Sequence, residues 1–288
     1  MAGNPPVATM SEFPPDIVTH RRMRSFDGMG KEVSGMCGRF YVSEAELDDF
    51  AALVERIEKD LLKPHSNGDG TTDLLPGDAV PVLVPRAVES HGGVPAGWED
   101  LSEIGAMRVL EWGFPAPQGK GRIINARSET VLEKPIFRLP FQAHRCLVPA
   151  HGFYEWSDPP AGAVAEGAES EPTQLTLDGF LPPYEAPEAA GAPKRRPHRI
   201  RHRFLSTEGR LIAMAGLYWT FRPTPLTTLT AFTILTVPSN PDVAPVHDRM
   251  PLILDEPARR IWLAPGRMNQ AAGLLVPAPA GSLRMVSD

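Results

Sequence analysis

The sequence predicts an α+β fold, a mostly antiparallel, barrel-like sheet with a few flanking helices. Three observations predict it. Short runs rich in β-branched and aromatic residues recur along the chain, among them "AVPVLVPR", "MRVLEWGF" and "LTAFTILTVPSN". Only two stretches have helical spacing, one after Ser43 and one at "EPARRIWL". Proline supplies 32 of 288 residues, about twice its ordinary share of roughly 5%, which keeps elements short and turns frequent. No internal repeat of roughly 20–50 residues interrupts this pattern.

Residues 1–35 are rich in Pro, Gly, Met and Arg without periodicity. They are expected to be a disordered leader, a propeptide or sequence ahead of the true start, with the folded domain spanning 36–288. "GRFYV" then has strand composition, and Ser43 with Glu46 forms the signature of a capping box. A helix is expected through "ELDDFAALVERIEKDLL", with Leu47, Phe50, Leu53, Val54, Ile57 and Leu61 on one face. "KPHSNGDGTTD" reads as a loop, followed by two strands and "GRIINARSET". "HRCLVPAHGFYEWS" reads as two strand halves around Gly152. From about 157 to 200 the composition collapses into a low-complexity insertion between strands. A hairpin around Glu208-Gly209, a further strand, "HDRMPLILD", the short helix and a final "GSLRMVSD" complete the chain.

Composition excludes several classes. No apolar run approaches the ~18 residues of a membrane span, and the N-terminus lacks the layout of a secretory signal. Two cysteines, Cys37 and Cys146, make no disulfide framework, so a cytoplasmic location is expected. The formal charge of -6 hides a basic cluster, "KRRPHRIRHR" at 194–203, and a second, "THRRMR", near the start. Nucleic acid therefore stays open as a partner, because local field decides contact. A solvated basic loop at 194–203 is the plainer alternative.

Four polar residues stand in apolar or strand-like surroundings: Cys37, Asn125, Glu155 and His247. Each has a structural explanation: a small buried hydrophobe, a turn former, an outward strand residue and a loop cap. Together they supply a thiol, an amide, a carboxylic acid and an imidazole, a complete kit for acid–base and nucleophilic chemistry. If Met36 is removed, Cys37 carries a free α-amine beside its thiol. An aldehyde attacked by that amine gives a Schiff base, and the sulfur then closes a five-membered thiazolidine. An internal cysteine has no amine to offer. At pH 7 about a tenth of an α-amine is unprotonated, against roughly 0.04% of a lysine.

"MCGRF", "INARSET", "RCLVPAHGFYEW", "AGLYW" and "VHDRMPLIL", in that order, resemble the SOS-response-associated peptidase (SRAP) family of abasic-site processing proteins. The resemblance implies the SRAP fold and a monomer that captures abasic sites in single-stranded DNA as a covalent thiazolidine adduct. It implies Cys37 as the crosslinking nucleophile, Asn125 as its orienter, Glu155 as the acid/base and His247 as a proton shuttle that also serves autoproteolysis or crosslink reversal. Arg127 and Arg249 would hold phosphates, and Arg39, Trp112 and Trp156 would contact the strand, with a core role equally open for the tryptophans. No metal, cofactor or membrane partner is implied.

Three departures from the family stand out: the residues ahead of Met36, "TTDLLPG" where a Tyr-Asn pair is expected, and an early end at "LRMVSD". The first implies a start at Met36 or a removed leader, the second an altered DNA-facing residue, and the third a shortened last strand. Two other functions compete. A cysteine peptidase acting on other proteins would use Cys37, His247 and Asn125, and a passive single-stranded DNA module would use Arg127, Arg249 and 194–203. A zinc site from Cys37, His151, Glu155 and His247 lacks metal-motif spacing.

Overall fold

A computed structural model describes residues 38–54, 65–87, 93–117, 121–159 and 199–287. β1 (Phe40–Ser43) passes directly into α1 (Glu44–Leu53). Ser43 is the N-cap: its hydroxyl accepts from the Glu46 amide at 3.1 Å, and the Glu46 carboxylate accepts from the Ser43 amide at 3.3 Å. Leu47 and Phe50 are buried as the spacing predicted. The helix is shorter than expected. Val54 is extended (φ -105°, ψ 118°), and the Leu53 carbonyl accepts from Gly93 at 3.3 Å instead of continuing the helical ladder. Ile57 and Leu61 lie outside the described residues, as do 1–37 and most of the expected insertion.

The remaining strands are β2 (Thr71–Leu74), β3 (Ala79–Pro85), β4 (Gly105–Trp112), β5 (Phe114–Pro115), β6 (Arg122–Ile123) and β7 (Asn125–Arg127). They continue with β8 (Arg145–Ala150), β9 (Gly152–Ser157), β10 (Ile200–Ser206), β11 (Ile212–Thr224), β12 (Thr227–Pro238), β13 (Arg249–Pro251) and β14 (Leu283–Ser287). Three further α-helices, α2 (Pro135–Ala143), α3 (Glu256–Leu263) and α4 (Met268–Ala272), and a 3-10 turn at Glu99–Leu101 complete the described elements.

Five strands close on themselves in the order β11-β8-β3-β4-β12, with β12 pairing back onto β11. This ring is the predicted barrel. Its pairings are antiparallel except β4 with β12. A second sheet, β14-β10-β9-β1-β2, is antiparallel throughout. Phe40 of β1 rests on Trp112 of β4 (ring centroids 5.0 Å), and Trp112 stacks on Phe232 of β12 (6.2 Å, 13° between planes). Burying three large rings at one point contributes several kcal/mol of transfer free energy at about 25 cal/mol per Å². Gly152 lies between β1 and β10, where a Cβ would sit 2.3 Å from the Phe204 carbonyl and 2.7 Å from the Tyr41 hydroxyl. No side chain fits there.

Two expectations are corrected. Gly209 does make a turn (φ 68°), but the strands it joins do not form a hairpin. β10 is taken on both edges by β9 and β14, so β11 leaves for the barrel. The long hairpin lies further on, between β11 and β12, and turns between Thr224 and Thr227. Helix α2 was not anticipated, because Pro135 and Pro140 both fall within it. Pro135 suits the first turn, where an amide donor has no helical partner. The expected final strand is present as β14, paired with β10 from Leu283↔Ser206 to Ser287↔His202.

Arg145, at the start of β8, ties two helices to the barrel. Its side chain donates to the carbonyls of Phe141 (2.6 Å) and Gln142 (3.1 Å) in α2, and to Trp262 (2.6 Å) and Ala264 (2.6 Å) at the end of α3. Carbonyls at a helix C-terminus lack helical partners and carry partial negative charge, so one buried cation satisfies both ends. Burial pulls the Arg145 pKa below its ordinary value, but five donors against four carbonyls keep the charge supported. Arg145→Met is expected to cost about 3 kcal/mol in urea unfolding, since it leaves those carbonyls without a donor. The exposed Arg138→Met should stay within about 0.5 kcal/mol.

Candidate functional site

β12 is the spine of the site. Along it Trp112 pairs with Phe232, Asn125 with Ile234, Arg127 with Thr236 and Arg249 with Pro238. Positions 232, 234, 236 and 238 alternate by two, and cross-strand partners share a face. Trp112, Asn125, Arg127 and Arg249 therefore lie on one face of the sheet. β4 and β7 occupy one edge of β12, while β11 and β13 occupy the other. The Trp112 indole N–H donates to the Ile124 carbonyl at 3.2 Å, which fixes the backbone immediately before Asn125.

The second wall comes from β9. Phe40 pairs with Phe153, and the Tyr154 amide donates to the Arg39 carbonyl at 3.1 Å. Continued by two residues, this register puts Gly38 opposite Glu155. Glu155 is only 3% exposed and shares the face of Phe153 and Phe40, the ring that meets Trp112. Its neighbour on β10 is His202. The two ring nitrogens of His202 lie 2.8 Å from the Ser157 hydroxyl and 2.9 Å from that of Ser287, and burial pushes its pKa down. His202 is thus a neutral, hydroxyl-held neighbour of the carboxyl. Cys37 itself lies outside the described residues.

His247 sits in the loop between β12 and β13. Its Nδ1 accepts from the Arg249 amide at 3.0 Å and is also 3.1 Å from an Asp248 carboxylate oxygen. These contacts demand opposite protonation of the same nitrogen. The amide is an obligate donor, whereas the Asp248 side chain is 88% exposed and well solvated, so the neutral ring carries its proton on Nε2. When Nδ1 gains a proton, Asp248 is at hand to accept from it.

The arginines divide. Arg127 is exposed. Arg249 is 8% exposed and committed elsewhere: its guanidinium grips the Glu129 carboxylate with both terminal nitrogens and donates to the Thr236 carbonyl at 2.7 Å. This corrects the expectation that Arg249 is a ready phosphate ligand, because an anion must first compete with Glu129. That pair holds the Glu129 carboxyl below its ordinary pKa. Trp112 is likewise corrected: with no exposed surface it is core, and no base can reach its face. Arg39 donates to Asp73 at 3.2 Å and lies 5.7 Å above the half-buried Trp156 ring.

Asp73 and Glu129 are site residues that the sequence reading missed. Asp73 stands where the Tyr-Asn pair was expected and is 4% exposed. It accepts from Arg39, from the Tyr154 hydroxyl at 2.9 Å and from the Asn67 amide at 2.8 Å. Glu129 lies inside "INARSET", so its place in a charged motif was the available signal. Cys146 is buried and its thiol pKa is driven far up, so it is no nucleophile. Among the described residues, no group of three or more His, Cys, Asp or Glu could hold a metal ion. No described helix is long and apolar enough to cross a membrane.

The chain matches the family model for the SOS response associated peptidase (SRAP) over residues 36–287. It is 28% identical over 236 residues to the Bacillus subtilis abasic site processing protein YoqW, covering 80% of this chain and 81% of that protein. It is 25% identical over 233 residues to the Escherichia coli abasic site processing protein YedK, covering 79% of each. Against the Xenopus tropicalis abasic site processing protein HMCES it is 32% identical over 143 residues, which is 48% of this chain and 37% of that protein. A crystal structure of a Bacteroides thetaiotaomicron protein superposes with a TM-score of 0.59 at 17% identity, covering 87% of this chain and 91% of that one. One from Bordetella bronchiseptica gives 0.57 at 19% identity, covering 88% and 99%. At such identities these two likenesses concern the fold alone.

One ion pair beside this site makes a testable pH signature. His151, between β8 and β9, has Nδ1 2.7 Å from a Glu46 carboxylate oxygen, and its backbone amide donates to the Tyr41 carbonyl at 2.9 Å. The contact raises the His151 pKa above 6.5 despite burial. Burial would raise Glu46, but hydrogen bonds from His151 and Ser43 outweigh it and hold it below 4.5. The raised histidine stabilises the fold below its unfolded pKa, and that stabilisation is lost as pH rises through the folded value. The lowered carboxyl stabilises above its unfolded pKa, and that is lost as pH falls through the folded value. The pair is therefore complete between about pH 4.5 and 6.5. A Glu46→Gln/His151→Gln double-mutant cycle should give a coupling of roughly 0.2–1 kcal/mol at pH 5.5, because both groups are partly exposed, and a smaller one at pH 8.5.

Proposed function

Because this chain belongs to the SOS response associated peptidase family, we propose that it captures abasic sites in single-stranded DNA as a covalent adduct on Cys37. The reactive form begins at Cys37, after loss of Met36 and whatever precedes it. Its α-amine attacks the aldehyde of the ring-opened abasic sugar. The carbinolamine loses water to give a Schiff base, and the thiol adds across the C=N bond to close the thiazolidine. In the net reaction, aldehyde and aminothiol become the heterocycle and one water. The α-amine must be deprotonated to attack, and its pKa near 8 leaves enough free base at neutral pH.

The single observation that carries this reading is the pairing of β1 with β9, which leads the chain toward Cys37 alongside a buried carboxyl. Glu155, as the acid/base, helps open the sugar and deliver a proton to the departing hydroxyl. His247 moves a proton at the sugar through its two-sided ring and serves in reversal. Asn125 orients the cysteine and a nearby sugar or phosphate oxygen. Arg127 takes a phosphate, with Arg39 and Trp156 along the strand. Arg249 acts through Glu129 as a positioning residue, keeping the strand that follows His247 in place.

A protein beginning at Cys37, mixed with an abasic oligonucleotide and run on a denaturing gel, should form a heat-stable adduct. Cys37→Ala should form none. Cys37→Ser keeps the amine and should give only an adduct that needs borohydride trapping. Glu155→Gln should slow adduct formation by about 10²–10⁴-fold with DNA affinity largely retained. Asn125→Ala should weaken both rate and affinity. A heat-stable adduct on the Cys37→Ala protein would mean that another group is the nucleophile. A trans-acting cysteine peptidase, unlike this chemistry, would survive acetylation of the terminal amine.

A further inference from the structure

β9 alternates. Phe153 and Glu155 face the core, so Tyr154 and Trp156 lie on the opposite face. On β10, Arg203 pairs with Tyr154 and Arg201 with Trp156, so both arginines share that opposite face. Arg201 lies 5.2 Å above the Tyr154 ring, and Arg39 from the β1 side lies 5.7 Å above Trp156. Arg199, just ahead of β10, donates to the Trp156 carbonyl at 2.9 Å. The described half of the basic cluster at 194–203 thus gathers around Trp156 rather than trailing as a separate loop.

We propose that Arg199, Arg201 and Arg203, with the Trp156 ring beside them, form a phosphate track for single-stranded DNA flanking the reactive site. This rests on the reading above for why such a strand is present, and it extends the Trp156 contact of that reading along β10 to three arginines that reading does not use. Three observations favour this partner. Arginines at alternate positions of an extended chain recur every ~6.6–6.8 Å, a spacing comparable with that of successive phosphates in an extended strand. The guanidinium fork suits a phosphate's paired oxygens. A half-buried indole among arginines is the sequence-tolerant stacking surface that unpaired bases use. Two carboxylates of the described residues beside this surface are loosely held. Asp158 lies 3.4 Å from Arg199 and Asp69 lies 3.7 Å from Arg203, both on exposed side chains that a phosphate can displace. Asp73, against Arg39, is buried.

The test uses undamaged single-stranded DNA, so that it does not depend on the covalent step. Fluorescence anisotropy of the protein beginning at Cys37 with a thymidine oligonucleotide of roughly twenty nucleotides is measured across salt. Arg201→Gln/Arg203→Gln should weaken binding about tenfold at low salt. It should also reduce the slope of log K against log salt by about 1.4, or about 0.7 per lost phosphate contact. Arg201→Lys/Arg203→Lys keeps the charges and should retain the slope, which separates lost contacts from a disturbed sheet. Adduct yield with a saturating abasic oligonucleotide of about five nucleotides should be the same for all three proteins. An unchanged slope and affinity in the glutamine variant would overturn the track, as would tighter binding of a duplex of equal length. If the parent protein forms no adduct yet the glutamine variant loses slope, the covalent reading fails and the track stands.

Discussion

The contact between Phe40 and Trp112 joins the two halves of the molecule. Trp112 is anchored below by Phe232 and held by its indole N–H to the backbone before Asn125. Phe40 rests on it from the other sheet, three residues after Cys37. β1 is also held on both edges, between β9 and β2. Through the Phe40–Trp112 contact the sheet that carries Glu155 packs on the sheet that carries Asn125 and Arg127.

Charge is placed with similar economy. Two arginines are held by structural contacts: Arg145 on helix ends and Arg249 on Glu129. A buried guanidinium without partners is costly, so both sit among acceptors at hydrogen-bond distance. Arg127, by contrast, is exposed. His247 fits the same scheme, because the strand carrying the Arg249–Glu129 pair also supplies the amide that sets its tautomer.

Much of the fold was legible where local rules act alone. The capping box at Ser43 and Glu46 needs only residues three apart, and the barrel strands need only runs of β-branched residues. What failed depends on partners distant in sequence. The turn at Gly209 is real, but whether its strands pair is decided by β9 and β14, which take both edges of β10. Trp112 looks the same in sequence whether it packs in a core or stacks on a base; Phe40, more than seventy residues earlier, decides. The reading of Arg249 as a phosphate ligand missed Glu129, its partner across 120 positions. In "TTDLLPG" the departure from the family was visible, but the function of Asp73 as an anchor for Arg39 and Tyr154 needed the sheet.

The proposed chemistry requires nitrogen and sulfur on the same terminal residue. Intact mass spectrometry tests it most directly, on protein carrying residues 1–36 and on protein beginning at Cys37, each incubated with abasic single-stranded DNA. The expected adduct has the mass of protein plus oligonucleotide less one water, and it appears only on the species whose first residue is Cys37. A stable adduct on protein that still carries the preceding residues would contradict it.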